Sequence, residues 1–309
     1  MKHIKYILPL LAVIVFACEP EMEEFKPEAG QADFSRYVAV GNSITAGYAD
    51  GALYRQGQLF SYPNLIAEQL KQVGGGTFKQ PLMYDDLGMR NYMILNVAVP
   101  VDEKLVLAYN IDCQGNNILS PVPATGATNP ENQSSIAEEG PFQNMGVPGI
   151  RLTDLRRQGI GSVIYSLGNF NPYFSRFAQH DTSSVLGDVL AQNPSFFTLW
   201  IGNNDVLKYA TAPLGGASIT ATNAFDFEIK AVVEKLTQNG AKGVIANIPD
   251  ITSLPFFTTI HPRSLYLETQ QEVDELNVLY AWNPDINFSL GDNKLVVFDP
   301  SVIGGMRQI

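Results

Sequence analysis

The stretch Tyr37-Val-Ala-Val-Gly-Asn-Ser-Ile-Thr-Ala-Gly-Tyr48 organises the rest of the chain. Its first four residues form a short apolar run rich in β-forming side chains, which is typical of a buried strand. Gly41 permits a sharp exit from that strand, and Ser43 follows where the strand gives way to a loop or helix. Open α/β folds place their chemistry at this carboxyl edge of the sheet, so Ser43 is a candidate nucleophile if a base lies beside it. Alternatively, Ser43 or Thr45 serves only as a helix cap.

Two later stretches also place small polar residues directly after a predicted strand. Residues 142–155 are predicted to form a strand, a glycine turn that ends at Gly149, and a helix. Residues 196–205 combine a strongly apolar strand with the polar sequence Gly-Asn-Asn-Asp, which contains Asn204. Because the carboxyl ends of parallel strands meet at one edge of a sheet, Ser43, Gly149 and Asn204 are expected to lie together. The alternatives are a packing turn at Gly149 and a loop at Asn204 that satisfies its own backbone.

Predicted strands and helices alternate along the chain. The clearest helix covers residues 222–239, where apolar side chains recur at helical spacing. Further helices are expected at 62–73, 185–190 and 268–280, and further strands at 243–248 and 295–298. Residues 77–140 carry only scattered apolar runs, so we interpret them as an insertion packed beside the sheet. The alternation indicates an α/β protein whose parallel sheet is covered on both faces.

Length, composition and charge exclude several classes of function. A chain of 309 residues with 45% hydrophobic residues can bury a full-sized core, as one large domain or two small ones. Its net charge of −11 and its pI near 4.7 argue against nucleic-acid binding, which depends on neutralising phosphates with Lys and Arg. The same charge disfavours electrostatic adhesion to anionic lipid.

The N-terminal residues resemble a bacterial secretory signal. Residues 1–17 combine two lysines with an apolar core that is too short to span a bilayer comfortably. Val15-Phe16-Ala17-Cys18 resembles a lipobox, which predicts a lipid anchor on Cys18 and a place in the cell envelope, at the outer membrane. The alternative is an ordinary signal peptide with an incidental cysteine. Residues 18–33 are acidic and without periodicity, so we expect a solvated tether. With Cys18 lipidated, Cys113 has no disulfide partner.

Three short motifs resemble, in order, the first three sequence blocks of the SGNH (GDSL-type) hydrolases. They are Gly41-Asn42-Ser43-Ile44-Thr45, Asn144-x-Gly146-x-x-Gly149 and Gly202-x-Asn204-Asp205. Three motifs in the right order are far more specific than one. The resemblance implies a flavodoxin-like, three-layer α/β/α sandwich around a central parallel sheet, here as a domain over residues 34–309.

The resemblance also implies a function and a site. The family hydrolyses esters or thioesters, so the expected substrate is a small-molecule, glycan or lipid ester. Ser43 would be the nucleophile, and the backbone N–H groups of Ser43 and Gly149 would form an oxyanion hole with the Asn204 amide. This chemistry needs no metal or organic cofactor.

The sequence departs from the family pattern at two places. Asn42 replaces the acidic residue of the namesake motif. The last block of the family, Asp-x-x-His, supplies the base and its orienting carboxylate; it has no counterpart here, and we interpret the domain as truncated at its C-terminal end. His261 and Asp250 are poor substitutes for that block, and His180 is expected to be a solvated surface residue. Because a serine without a base is nearly inert, the 309-residue chain is expected to be slow or inactive.

The same features also allow a non-catalytic surface lipoprotein that binds carbohydrate or lipid. Phe170, Tyr173, Phe174 and Phe177 would then line its cleft, although core packing is the alternative role for these aromatic side chains. An Asp-x-x-His block encoded beyond residue 309 would favour the enzyme over the binding protein.

Overall fold

The computed structural model describes residues 26–94, 96–111, 115–212, 218–259, 263–298 and 305–308. The strands are β1 (Tyr37–Gly41), β2 (Asn91–Ile94), β3 (Val97–Pro100), β4 (Leu105–Ile111), β5 (Asn117–Pro123), β6 (Asn144–Gly146), β7 (Phe196–Trp200), β8 (Lys242–Ile245), β9 (Leu265–Leu267), β10 (Gly291–Asn293), β11 (Val296–Phe298) and β12 (Met306–Gln308). The helices are α1 (Ser43–Ala46), α2 (Arg55–Leu59), α3 (Tyr62–Leu70), α4 (Val185–Ala191), α5 (Asn203–Thr211), α6 (Thr222–Thr237), α7 (Pro255–Thr258) and α8 (Gln270–Leu279). Within the described ranges, none of these helices is long and apolar enough to cross a membrane.

Four of the strands form one parallel sheet in the order β6-β1-β7-β8. Strand β1 has neighbours on both sides, with Gly41 opposite Gly146 of β6 and opposite Trp200 of β7. All five residues of β1 are buried, as the apolar run of its sequence predicts. The sheet therefore places the segments that follow β6, β1 and β7 side by side at its carboxyl edge.

Helices cover both faces of this sheet. Alternate residues of a strand point to opposite faces. Val38 and Val40 accordingly join the main core with Val232 of α6 and with apolar side chains of α4. Tyr37 and Ala39 point the other way and pack against α3. The prediction of an α/β fold with a central parallel sheet between two helical layers is confirmed.

The helix predicted after Gly149 is wrong, since only a short 3-10 turn, Leu152–Asp154, forms there. In an α-helix the Leu155 carbonyl would accept a hydrogen bond from the N–H of Gly159. Instead it accepts one from Leu186 N at 2.9 Å, and Gly159 N donates to Ser183 O at 2.9 Å. Hydrogen bonds to a distant segment thus replace the helical ones.

The predicted strand at 295–298 forms as β11, but it does not join the parallel sheet. It pairs antiparallel with β12, and Val296 packs with α8 around Leu267 and Ile286. Among the described residues, β8 is therefore the outer strand of the parallel sheet, and all four of its residues are exposed.

Residues 77–140 contain two antiparallel hairpins, β2–β3 and β4–β5. The second hairpin leaves large apolar side chains in solvent, with Leu107 69% and Tyr109 74% exposed. Between the hairpins, the buried Asp102 carboxylate accepts hydrogen bonds from Leu53 N and from the Tyr173 hydroxyl. Asp102 thereby connects this region to the segment that follows α1.

Candidate active site

The turn that carries Ser43 is held by Asn42, which is 1% exposed. Asn42 Oδ1 accepts a hydrogen bond from Ile44 N at 3.1 Å and so caps α1. Its Nδ2 donates to Asn203 Oδ1 at 3.3 Å, which joins the turn to the first residue of α5. An aspartate could accept the first bond but could not donate the second. With Asn203 in this orientation, an amide at position 42 supplies a donor that an aspartate lacks.

Gly146, at the end of β6, lets α1 pack directly on the strand. A Cβ at this position would lie 2.2 Å from Ala46 N, so a larger residue requires the backbone to move. Asn144 reinforces the contact, because its Nδ2 donates to Thr45 O at 3.0 Å. Strand β6 and helix α1 are therefore fixed against each other beside Ser43.

Gly149 is the exposed residue of an otherwise buried loop beyond β6 and has a φ of +81°, a conformation that favours glycine. Side chains from two other segments hold the loop by its carbonyl groups. Asn171 Nδ2 donates to Pro148 O at 2.8 Å, and Asn204 Nδ2 donates to Ile150 O at 2.8 Å. The position of the Gly149 N–H is thus set from both sides.

Asp205 ties the same loop to α5. Its carboxylate accepts hydrogen bonds from Leu152 N at 2.8 Å and from Thr220 Oγ1 at 2.7 Å, and the residue is 2% exposed. The sequence motif contains Asp205 but does not reveal this role, and Asn171 carries no sequence signal at all. Asp205 and Asn171 each bond to a residue that is distant in sequence, so local sequence patterns do not reveal their roles.

Three hydrogen-bond donors at this edge have no partner among the described residues. They are the N–H groups of Ser43 and Gly149 and the second hydrogen of Asn204 Nδ2. The Ser43 hydroxyl, which is half-buried, is also unpaired in the described part of the chain. The three residues follow adjacent parallel strands, which lie about 4.8 Å apart. Donors arranged in this way can stabilise a negative oxygen that develops during acyl transfer.

A family model accounts for most of the chain. The model described as GDSL-like Lipase/Acylhydrolase matches residues 37–300. The chain belongs to this family. GDSL-like acylhydrolases are α/β hydrolases of the SGNH type, and membership supports an esterase- or lipase-type hydrolase function in general. No curated protein and no solved structure gives a significant match to the chain.

None of the candidate bases that the structure describes forms a hydrogen bond with Ser43. His180 is exposed, and its backbone N–H donates to Ser183 Oγ at 3.0 Å near the start of α4. Asp250 caps a 3-10 turn, where hydrogen bonds from Thr252 lower the pKa of its carboxyl group. His261, Cys18 and Cys113 lie outside the described residues.

An aromatic cleft of about 590 Å³ opens next to the turn that carries Ser43. Its lining includes Ile44 of α1 and five aromatic side chains: Tyr48, Tyr54, Phe60, Tyr62 and Trp200. The Tyr62 and Trp200 rings are 5.5 Å apart between centroids, and the Tyr62 hydroxyl is 3.0 Å from Thr45 Oγ1. Burial raises the pKa of Tyr62, and it raises the pKa of Tyr54 to about 12. These tyrosines are therefore neutral at physiological pH.

The four aromatic residues that the sequence suggested for a cleft do not line the aromatic cleft. Tyr173, Phe174 and Phe177 are buried at 6%, 0% and 3% exposure and pack in the hydrophobic clusters, so core packing is their role. Phe170 lines a smaller pocket of about 190 Å³, together with Gly149. Within the described ranges, no group of three or more His, Cys, Asp or Glu residues could hold a metal ion.

Proposed function

We propose that this chain is an envelope-anchored serine ester hydrolase that cleaves acyl esters or thioesters. Ser43 Oγ attacks the ester carbonyl carbon while a base takes the hydroxyl proton. The oxyanion that results is held by the N–H groups of Ser43 and Gly149 and by Asn204 Nδ2. The protonated base returns the proton to the alcohol or thiol, which leaves as the acyl-enzyme forms; water, activated by the same base, then releases the acid and restores Ser43.

The observation that carries this proposal is the set of unpaired donors beside an unpaired hydroxyl. Asn204 is only 8% exposed, yet one of its amide hydrogens has no acceptor among the described residues. Buried polar groups in folded proteins normally have partners, and leaving one unpaired costs about 1–3 kcal/mol. A substrate oxygen that gains negative charge would supply the missing acceptor, and it would do so most strongly in the transition state.

Fluorophosphonate labelling of the full-length gene product tests the nucleophile. We expect one adduct, located on Ser43 by peptide mass spectrometry, and no adduct in Ser43→Ala. Ser135→Ala is the matched control, since Ser135 is exposed and lies outside the site. An adduct on another serine, or none in the wild-type protein, rejects Ser43 as the nucleophile.

Because no base for Ser43 is found among the described residues, there is a separate expectation for the 309-residue chain. We expect slow or no turnover of p-nitrophenyl acetate, because a serine without a base keeps a pKa far above neutral. Rapid turnover would mean that His261 or Asp250 acts as the base. Loss of that turnover in His261→Ala or in Asp250→Ala would then identify the residue.

The lipid anchor on Cys18 is a separate part of the proposal. It is supported by the lipobox-like residues 15–18 and by the acidic stretch after them. Metabolic labelling with an alkyne-tagged fatty acid in a bacterial host is expected to mark the wild-type protein and not Cys18→Ser. An unmarked wild-type protein would reject the anchor without affecting the assignment of Ser43.

The aromatic cleft favours a second candidate function, a non-catalytic lipoprotein that binds carbohydrate or lipid. Aromatic rings offer large apolar contact areas at a modest cost in conformational entropy. This function would be preferred if Ser43 forms no adduct while a sugar or fatty acid binds and Trp200→Ala abolishes that binding.

A further inference from the structure

The smaller pocket beside Gly149 is polar and positively charged, unlike the aromatic cleft. We call it the cationic pocket; it is lined by Gly149, Ile150, Arg151, Asp154, Ile160, Gly168, Asn169, Phe170, Asn171 and Lys208. Its volume of about 190 Å³ corresponds to roughly six water molecules. A short substituent of a substrate fits such a space, whereas a long acyl chain does not.

The cationic pocket is adjacent to the proposed oxyanion donors. Gly149, whose N–H is unpaired in the described part of the chain, forms part of its wall. Lys208 lies four residues after Asn204 on α5, so the two side chains share one face of the helix about 6 Å apart. A group that occupies the pocket is therefore one helical turn away from the scissile carbonyl.

The charges around the pocket leave Lys208 without a close ion pair in the described part of the chain, although Asp154 and Asp205 attract its ammonium group at longer range. Asp154 is shared between Arg151 and Arg157, with N–O distances of 3.5 Å to each. Asp205 is also near, but its carboxylate is occupied by hydrogen bonds from the backbone and from Thr220. Lys208 forms no ion pair with any described residue, and desolvation lowers the pKa of its ammonium group. The residues that line the pocket thus include two cations, Arg151 and Lys208, and one carboxylate, Asp154, in a protein whose net charge is −11.

We propose that the cationic pocket binds a carboxylate on the ester substrate and that Lys208 is the residue that selects it. This inference rests on the proposed function, because it places the substrate ester at Ser43, Gly149 and Asn204. The preferred substrates are esters that carry a free carboxylate a few bonds from the scissile carbonyl. The carboxylate can belong to the acyl part or to the alcohol part, since both have the chemistry that a lysine recognises.

Binding to a Ser43→Ala protein tests the pocket without requiring turnover. Isothermal titration calorimetry compares monomethyl glutarate, which has a carboxylate on the acyl side, with the neutral dimethyl glutarate. A second arm uses 3-acetoxypropanoate, which has its carboxylate on the alcohol side, against its neutral methyl ester. We expect at least one of the anionic esters to bind about tenfold more tightly than its neutral partner, as is typical of one hydrogen bond to a charged group.

Lysine variants made in the Ser43→Ala background identify the residue responsible. Lys208→Met is expected to remove the tenfold preference, and Lys208→Arg is expected to keep most of it. Lys230→Met is the matched control, since Lys230 is an exposed lysine on α6. Equal binding of anionic and neutral esters in both arms, or an unchanged preference in Lys208→Met, would overturn the proposal.

Turnover by the full-length gene product distinguishes a failure of the cationic-pocket proposal from a failure of the proposed hydrolase function. If the wild-type protein cleaves none of these esters while Ser43→Ala still prefers the anionic ones, the pocket assignment stands and the hydrolase assignment fails. If the wild-type protein cleaves neutral and anionic esters with equal kcat/KM and shows no binding preference, the hydrolase stands and the pocket assignment fails.

Discussion

The carboxyl edge of the parallel sheet and the hairpin β4–β5 are built in opposite ways. At the edge, polar side chains such as Asn42 and Asp205 are 1% and 2% exposed, and each one bonds to a distant segment. In the hairpin, apolar side chains such as Leu107 stand in solvent, and the two strands pair with each other along their whole length, with Leu105 N also donating to Asp50 O at 2.7 Å. This difference shows that long-range hydrogen bonds specify the edge, whereas local pairing specifies the hairpin.

The largest effect is expected on kcat when the proposed oxyanion donor Asn204, at the carboxyl edge of the sheet, is removed. Asn204→Ala should lower kcat for ester cleavage by the full-length gene product by about 10²- to 10³-fold, since that is the usual loss for one oxyanion-hole donor. Steady-state kinetics measures this loss, with Asn223→Ala on the exposed start of α6 as the control. An unchanged kcat in Asn204→Ala would remove this residue from the proposed mechanism.

The second-largest effect is expected where α1 packs on β6, because an added side-chain atom there should lower the free energy of unfolding. Gly146→Ala places a Cβ 2.2 Å from Ala46 N, so we expect a loss of about 3 kcal/mol in the free energy of unfolding. Gly168→Ala is the matched control, because a Cβ there meets nothing within 4 Å and its effect should stay within about 0.5 kcal/mol. Urea unfolding measures both. Similar stabilities for the two variants would show that α1 does not depend on this contact.

A loss of about 2 kcal/mol is expected for Asp205→Ala, because Leu152 N would lose its acceptor in a buried place. Asp226→Ala, at an exposed position on α6, should change the unfolding free energy by less than about 0.5 kcal/mol. If both aspartate variants unfold at the same urea concentration, the link between the Gly149 loop and α5 contributes nothing to stability.

The smallest effect on the free energy of unfolding is expected in the hairpin β4–β5. Leu107→Ala removes a side chain that is 69% exposed, so the unfolding free energy should change by no more than about 0.5 kcal/mol. Leu199→Ala makes the same change at 1% exposure in β7 and should cost about 3 kcal/mol. A large loss in Leu107→Ala would mean that this face of the hairpin is covered in solution.

Local sequence patterns were enough to predict the framework of the fold. The apolar runs predicted β1 and β7, and the helical spacing of apolar residues at 222–239 predicted α6, which ends two residues earlier. The placement of Ser43, Gly149 and Asn204 after adjacent strands followed from the parallel arrangement. These features depend on burial alone, and burial leaves a periodic pattern in the sequence.

Features that depend on tertiary contacts could not be predicted. The apolar residues after Gly149 suggested a helix, but the Leu155 carbonyl bonds to Leu186 instead. The roles of Asn171 and Asp205 depend on loops that meet only after folding. The aromatic cleft likewise draws Tyr62 and Trp200 from segments that are far apart in sequence.

The amide pair between Asn42 and Asn203 has a consequence for acidic surroundings. Neither group titrates, whereas an aspartate at position 42 would take up a proton near pH 4. The bond that joins the two strand ends is therefore the same in acid as at neutrality. A loss of function on acidification would therefore have to come from a group other than this amide pair.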